Sequence, residues 1–106
     1  MKQDTQKTEV IFRVDTTKDY KGAITAIFPY QVETYKGNVG MYAHVGQHGH
    51  GDYQTMLGMS RPAGPEEYND LKKEMENNYG YNFKVIQRRN YDKYLKEYKR
   101  VNGYKN

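Results

Sequence analysis

The three histidines of the chain lie in one short segment, Met41–Tyr53 (MYAHVGQHGHGDY), which also contains an aspartate. These residues are His44, His48, His50 and Asp52. Imidazole and carboxylate groups are ligands that suit zinc, and a catalytic zinc site would keep one coordination position open. In an extended segment His48, His50 and Asp52 would lie on the same side. A zinc site is therefore one hypothesis for the segment, although its spacing matches no metal motif that we can assign.

The same segment supports two other interpretations. A glycine-rich loop presents backbone N–H groups that can hold a phosphate or another anion, but the pattern here matches neither a P-loop nor a dinucleotide-binding motif. The segment can also be a polar turn in which His44 makes one structural hydrogen bond. Functional residues tend to lie on loops held by a rigid scaffold. The candidates for binding a ligand or partner here are Tyr42, His44, Gln47 and His48.

Catalytic chemistry has little support in this sequence. The chain has no cysteine, so it has neither a thiol nucleophile nor a disulfide. Its only serine, Ser60, precedes Arg61 and Pro62 in no recognisable nucleophile context. We therefore predict no catalytic residues and, zinc apart, no cofactor.

Alternating hydrophobic residues predict the strands that position the histidine segment. The first two strands show this alternation at Val10, Phe12, Val14, Ile24, Ala26 and Phe28. We expect each to bury one face, and Pro29 should close the second strand or place it at an edge. From Val39 onward one face is aliphatic and the other carries Gly40 and Tyr42, so we expect His44 to point to a polar side beside Tyr42. The stretch GQHGHGD predicts a loop or bulge, and YQTMLGMS predicts a further strand.

Two helices follow. Pro65 suits the first position of a helix that should end at Gly80, with Tyr68, Leu71 and Met75 as its apolar stripe. A short strand near Phe83 separates it from a second helix, Tyr91–Val101, which should end at Gly103. The order β-β-β-(β)-α-β-α predicts an α+β fold, with a mainly antiparallel sheet of 4–5 strands packed by one central helix and with a C-terminal amphipathic helix. Residues 1–8 form a flexible lead-in, residues 9–89 a single domain and residues 90–106 a basic C-terminal helix.

Positive charge is concentrated at the end of the chain. The formal net charge is +4, and residues 84–106 contain eight basic and two acidic residues. Basic residues interleaved with aromatics can hold nucleic acid through phosphate contacts and base stacking. The residues that would do so are Arg88, Arg89, Lys93, Lys96, Lys99 and Arg100. The alternative is a packing face made by Tyr91, Leu95 and Tyr98, with the lysines on its solvated back.

Composition also bears on partners and location. The chain has 106 residues and twelve tyrosines, which suits one small domain with a surface adapted to recognition. No apolar run approaches the roughly 20 residues that span a bilayer, and the polar start does not read as a signal peptide. We therefore expect no membrane contact and a cytoplasmic location. A protein partner is the main expectation and a nucleic acid the alternative; the oligomeric state stays open.

Two stretches carry a resemblance to a known group of proteins. YAHVGQH at residues 42–48 and SRPAGPEEYNDLKKEMENNYGYNFKVIQRR at residues 60–89 resemble small uncharacterised proteins of bacteria and their phages. Those proteins have a His-Val-Gly-Gln-His segment followed by an Arg-Pro-Ala-x-Pro-Glu-Glu-Tyr helix start. The resemblance singles out His44, Gln47, His48, Arg61, Pro62, Glu66, Glu67 and Tyr68, and it adds Arg61 to the candidates for ligand or partner binding. His50 and the basic segment from Asn90 lie outside it. The resemblance also implies that the expected cytoplasmic location is in a bacterial host cell.

Three functional hypotheses remain. The first is a small non-enzymatic binding protein of a phage or mobile element that contacts another macromolecule, for example to inhibit a host defence complex or to serve in a virion or its assembly. The second is a metal- or phosphate-binding domain centred on the segment His44–Asp52. The third is nucleic-acid binding through the basic C-terminal helix.

Overall fold

The fold is α+β, as the sequence predicted. The computed structural model describes residues 7–43 and 47–103, with residue 47 described through its backbone only. The elements in chain order are β1 (Thr8–Asp15), β2 (Ile24–Val32), β3 (Val39–Ala43), β4 (Gln47–Gly51), α1 (Tyr53–Gly58), β5 (Ser60–Pro62), α2 (Pro65–Tyr79), β6 (Phe83–Val85) and α3 (Tyr91–Asn102). Across the part of the chain that the structure describes, none of the helices combines the length and apolar composition needed to cross a membrane.

The strands form one mainly antiparallel sheet in the order β4-β3-β2-β1-β5. β6 also pairs with β1, in parallel orientation, with Thr8 opposite Phe83. β5 and β6 contact different stretches of β1, since β5 pairs with residues 13–15 and β6 with residues 8–10. β4 is therefore the outermost strand on one side of the sheet.

Both faces of the sheet are covered by helices. α2 packs Leu71 and Met75, both fully buried, into a cluster that includes Phe12 of β1. On the opposite face Tyr53 of α1 and Tyr94 of α3 join a second buried cluster. The chain thus forms three layers, with α2 on one side of the sheet and α1 and α3 on the other.

This layering corrects the prediction of one buried face per strand. In β1, Val10, Phe12 and Val14 lie in the cluster under α2, as the alternation indicated, but Ile11 is buried in the opposite cluster. A strand covered on both faces is apolar on both, so alternation alone underestimates its buried surface.

Two further local predictions are wrong. Pro29 neither closes β2 nor lies in an edge strand, because β2 runs on to Val32 between β1 and β3. The β2–β3 register shifts between Phe28 and Val32, and this irregularity accommodates a residue that has no N–H to donate. The stretch predicted as a further strand, YQTMLGMS, instead forms α1 and the start of β5.

The two long helices begin and end where the sequence predicted. α2 starts at Pro65 and stops at Gly80, whose φ of 73° is left-handed. α3 runs from Tyr91 to Asn102 and is followed by Gly103, with a φ of 71°. Glycine is favoured at both ends because a side chain would strain that backbone conformation.

Candidate functional site

β4 is a strand, although its glycines predicted a loop or bulge. It lies antiparallel to β3, with His48 opposite Tyr42, Gly49 opposite Met41 and His50 opposite Gly40. Side chains alternate along a strand, so both imidazoles of β4 lie on the face that α2 covers, and Gly49 and Gly51 present no side chain to the other face. A Cβ on Gly51 would lie 3.0 Å from Sδ of Met56, so the glycine lets α1 approach the strand closely.

Tyr42 lies in the core rather than on a polar surface, which corrects the prediction for its face of β3. Its side chain is fully buried, and its hydroxyl donates a hydrogen bond to Oε2 of Glu74 at 2.5 Å. The strand pattern was interpreted correctly as two faces, but α2 covers the face that lacked aliphatic residues. His44, Val45 and Gly46 lie outside the described residues, so the prediction that His44 stands beside Tyr42 is not tested.

His48 forms the exposed end of an aromatic cluster. Its ring meets Tyr42 edge-on at 4.7 Å between centroids and Tyr79 at 5.5 Å. Tyr79 also packs against Tyr42 at 5.7 Å and Tyr81 at 6.4 Å. Tyr79 is 48% exposed. We call His48, Tyr79 and Tyr81 the edge patch, because they place aromatic surface beside the outer strand.

His50 lies at the other end of the same face. Its Nδ1 is 3.4 Å from the side-chain nitrogen of Asn38. A groove of about 280 Å³ runs between the two histidines and the neighbouring strands. Its lining includes Phe28, Gln31, Glu33, His48, His50 and Tyr81. Gln31 donates to the Glu33 carboxylate at 2.6 Å, so the polar end of the groove is ordered by side-chain hydrogen bonding.

Three of the four predicted metal ligands, His48, His50 and Asp52, form no metal site among the described residues, and the fourth, His44, lies outside them. No group of three His, Asp or Glu side chains in the described part of the chain is placed to hold an ion. Asp52 is the N-cap of α1, where its Oδ2 accepts hydrogen bonds from N and Oγ1 of Thr55 at 2.9 and 2.8 Å. Two hydrogen bonds from Thr55 lower the pKa of Asp52, and the one from the backbone N–H has a larger effect than the one from the hydroxyl. His48 and His50 therefore remain as a pair, and His44 lies outside the described residues.

Arg61 takes part in the start of α2. Its guanidinium binds both carboxylate oxygens of Glu67, at 3.0 and 2.6 Å. Glu67 also accepts from the N–H of Gly64 at 2.9 Å, which caps the helix. The Arg61 hydrogen bonds and then the Gly64 N–H lower the pKa of Glu67 to about 2. Arg61 is thus part of the hydrogen-bond network at the start of α2, and its role differs from that of the histidines.

The basic residues of the C-terminal segment divide into two groups. Lys93 forms an ion pair with Glu9, Arg100 pairs with Glu97 at 2.7 Å, and Arg89 lies between the rings of Tyr53 and Tyr94. Arg88, Lys96 and Lys99 have no ion pair among the residues described here. Half of the predicted nucleic-acid-binding set is therefore engaged within the protein.

The packing face of α3 differs from the predicted one. Tyr94 is its buried residue, with Tyr98 partly buried beside it, whereas Tyr91 is 58% exposed. The Tyr94 hydroxyl donates to the Gly37 carbonyl oxygen and the Tyr98 hydroxyl donates to that of Tyr35, each at 2.8 Å. Because α3 supplies buried surface to the second cluster, removing residues 90–106 would expose the sheet as well as remove charge.

The lone serine has its hydroxyl engaged in structural contacts. Ser60 Oγ accepts from Nε of Arg13 at 2.9 Å and donates to the carbonyl oxygen of Met56 at 2.6 Å. Arg13 also donates to the carbonyl oxygens of Leu57 and Ser60, at 3.1 and 2.7 Å. Ser60 and Arg13 together fix the end of α1 against β1 and β5.

Sequence reasoning missed the most accessible part of this region, which is the edge patch and the free side of β4. Tyr79 and Tyr81 flank the glycine that ends α2, and that position was the signal that could have marked them as a pair near the sheet. Comparisons of the chain with protein families, with curated proteins and with solved structures found no match. The resemblance to small bacterial and phage proteins therefore stays a prediction.

Proposed function

We propose that this chain is a non-enzymatic protein-binding module that adds an extended segment of a partner to the outer side of β4. The observation that carries the proposal is the position of β4. It is a five-residue strand at the end of the sheet order, and β3 is its only partner among the residues described. An edge strand presents unpaired N–H and C=O groups, and many proteins bind extended peptides by supplying those groups with a new strand.

The residues of β4 support this role. Edge strands that avoid association usually carry lysine, proline or a bulge, and Gln-His-Gly-His-Gly carries none of them. Gly49 has no side chain, so a partner strand can pair with the middle of β4 without meeting one there. Backbone hydrogen bonds would supply affinity in this mode, whereas pockets for alternate side chains would supply specificity.

The edge patch supplies a contact for a partner side chain on the face of β4 that α2 covers. His48 is exposed, and Tyr79 is about half exposed directly beside it. Tyrosine gives contact area at a low entropy cost and is enriched in recognition surfaces. A side chain of the incoming strand that points toward α2 would therefore pack on Tyr79 and His48, which favours a partner with an aromatic or aliphatic residue at that position.

The experiment compares capture of bacterial lysate proteins by immobilised wild type, Gly49→Lys and a charge-matched control, Gln87→Lys. A Cβ at Gly49 would meet only Cγ of Met41, at 3.9 Å, so the substitution leaves the fold room. It puts a charge on the edge that opposes strand addition. We expect a partner that the wild type and Gln87→Lys retain and Gly49→Lys loses, with amide hydrogen exchange slowed at residues 47–51 when that partner binds.

Two results would contradict the proposal. One is equal capture by all three proteins. The other is slowed exchange confined to α3 with binding that weakens steeply as salt rises, which would assign the contact to nucleic acid through the basic helix. The roles in host defence or in a virion stay predictions from the sequence resemblance.

A further inference from the structure

The two described histidines are arranged as half of a metal site. His48 and His50 are two residues apart in β4, and their side chains are exposed on the same face. Gly40 lies opposite His50 in β3, so no side chain of that strand position crowds the second imidazole. Neutral imidazole is a zinc ligand, and two of them spaced in this way can bind one ion.

The rest of the ligand set is missing from the described part of a single chain. Structural zinc sites are almost always tetrahedral with four protein ligands. No third His, Asp or Glu joins His48 and His50 among the described residues, and the Asp52 carboxylate is engaged as the cap of α1. Two further ligands must therefore come from another source.

The free side of β4 indicates where they come from. When two copies of one strand pair antiparallel about a twofold axis, opposite residues share a face, so they must be separated by an even number along the chain. Only the register with Gly49 opposite Gly49 of the second copy pairs all five residues of Gln47–Gly51. That register puts His48 of each copy opposite His50 of the other, with Cβ atoms about 4.5–5.5 Å apart.

We propose that the segment added to β4 is a second copy of this chain, and that one zinc ion joins the two copies through His48 and His50 of each. This inference rests on the proposed function, because it requires that β4 accept a strand. Four imidazoles then lie on one face of a continuous sheet. Tyr79 contacts the His48 ring edge-on, with 5.5 Å between the ring centroids.

Zinc makes the pairing of the two copies conditional. Stable interfaces bury about 1,200–2,000 Å² in total, and one pair of five-residue strands covers much less than that. Backbone pairing alone would therefore leave the protein monomeric, and the metal would supply the additional stabilisation.

Light scattering coupled to size-exclusion chromatography tests the proposal on the full chain. With a chelator we expect a monomer of 12.5 kDa, and with zinc a dimer. A cobalt titration should show tetrahedral absorption bands that saturate at one ion per two chains. His50→Ala should weaken zinc-dependent dimerisation by more than the roughly 10–100-fold that the loss of a second-sphere partner costs. Gly49→Lys keeps both histidines and should also stay monomeric, while Asp52→Asn should dimerise as the wild type does.

Three outcomes overturn the inference. They are a monomer in zinc, saturation at one ion per chain without dimerisation, and a dimer that persists in chelator and in His50→Ala. The protein could stay monomeric in zinc and still capture a partner that Gly49→Lys loses, with slowed hydrogen exchange at residues 47–51. That result refutes the second copy and the metal but leaves the proposed function intact. Absence of protection at these residues under every condition refutes both.

Discussion

The hydroxyl of Tyr94 in α3 donates to the carbonyl oxygen of Gly37 at 2.8 Å, in the connection between β2 and β3. Gly37 has a φ of 90°, and a Cβ built there would lie 2.2 Å from that same hydroxyl oxygen. The glycine thus provides both a left-handed backbone and the space that the tyrosine needs. This contact attaches α3 to the loop that joins two interior strands of the sheet.

We predict that Gly37→Ala lowers the free energy of unfolding by about 2–4 kcal/mol, since it combines backbone strain with displacement of Tyr94. Gly22→Ala is the matched control, because Gly22 has the same φ of 90° and a Cβ there would meet nothing within 4 Å. It should cost about 1–2 kcal/mol from backbone strain alone. Urea unfolding measures both values. Equal losses would show that the approach of Tyr94 contributes nothing.

Arg89 should stabilise the fold through its position between two rings. Its guanidinium carbon lies 4.1 Å from the ring centroid of Tyr53 and 3.9 Å from that of Tyr94. Arg89→Ala should therefore lower stability by about 1–2 kcal/mol. The neighbouring Arg88→Ala, which removes an exposed arginine, should stay within about 0.5 kcal/mol of the wild type in the same thermal or denaturant unfolding measurement. Similar effects of the two substitutions would contradict this.

The Arg61–Glu67 pair predicts a specific acid response. The pKa of Glu67 falls from 4.5 to about 2, first because of the Arg61 hydrogen bonds. A carboxyl group whose pKa is lowered by folding stabilises the folded state above its unfolded pKa and loses that effect as pH falls through its folded pKa. Wild type should thus be more stable than Glu67→Gln above pH 4.5, and the difference should shrink toward pH 2. A difference that is constant from pH 6 to 2 would argue against the pair.

Asp52 should contribute to the stability of the fold and not to zinc affinity. Asp52→Ala removes the cap of α1 and should cost about 1 kcal/mol in denaturant unfolding, whereas Asp52→Asn should keep most of the cap. Isothermal titration with zinc should give the same affinity for Asp52→Asn as for the wild type. A clear loss of zinc affinity in Asp52→Asn would restore Asp52 as a ligand.

Local signals in the sequence predicted the two long helices well. Pro65 and Gly80 mark the ends of α2, and Gly103 follows α3, because these residues act through their own backbone conformations. The alternating hydrophobic residues of β1 and β2 also predicted correctly which side chains lie under α2. These features depend on neighbours along the chain, which is the information that a single sequence contains.

The errors have a common cause in contacts between distant residues. The glycines of β4 predicted a loop, but pairing with β3 makes a strand of them, and Gly51 lies close to the Met56 side chain of α1. Tyr42 was assigned to a polar side because α2, which covers it, begins more than twenty residues later. Of the predicted site, the shared side of His48 and His50 could be read from their spacing, whereas the role of Asp52 and the exposure of Tyr79 depended on where α1 and α2 pack.

The far side of the sheet determines how large an assembly through β4 can become. There β1 is bordered by two strands of three residues each, β5 and β6, and β5 ends with Pro62, which has no N–H to donate. Among the described residues that border offers no long template for another chain, while a twofold contact at β4 uses the same surface of both molecules. Growth would therefore stop at a closed pair, and the protein would be protected from fibre formation even though one of its strands is left open.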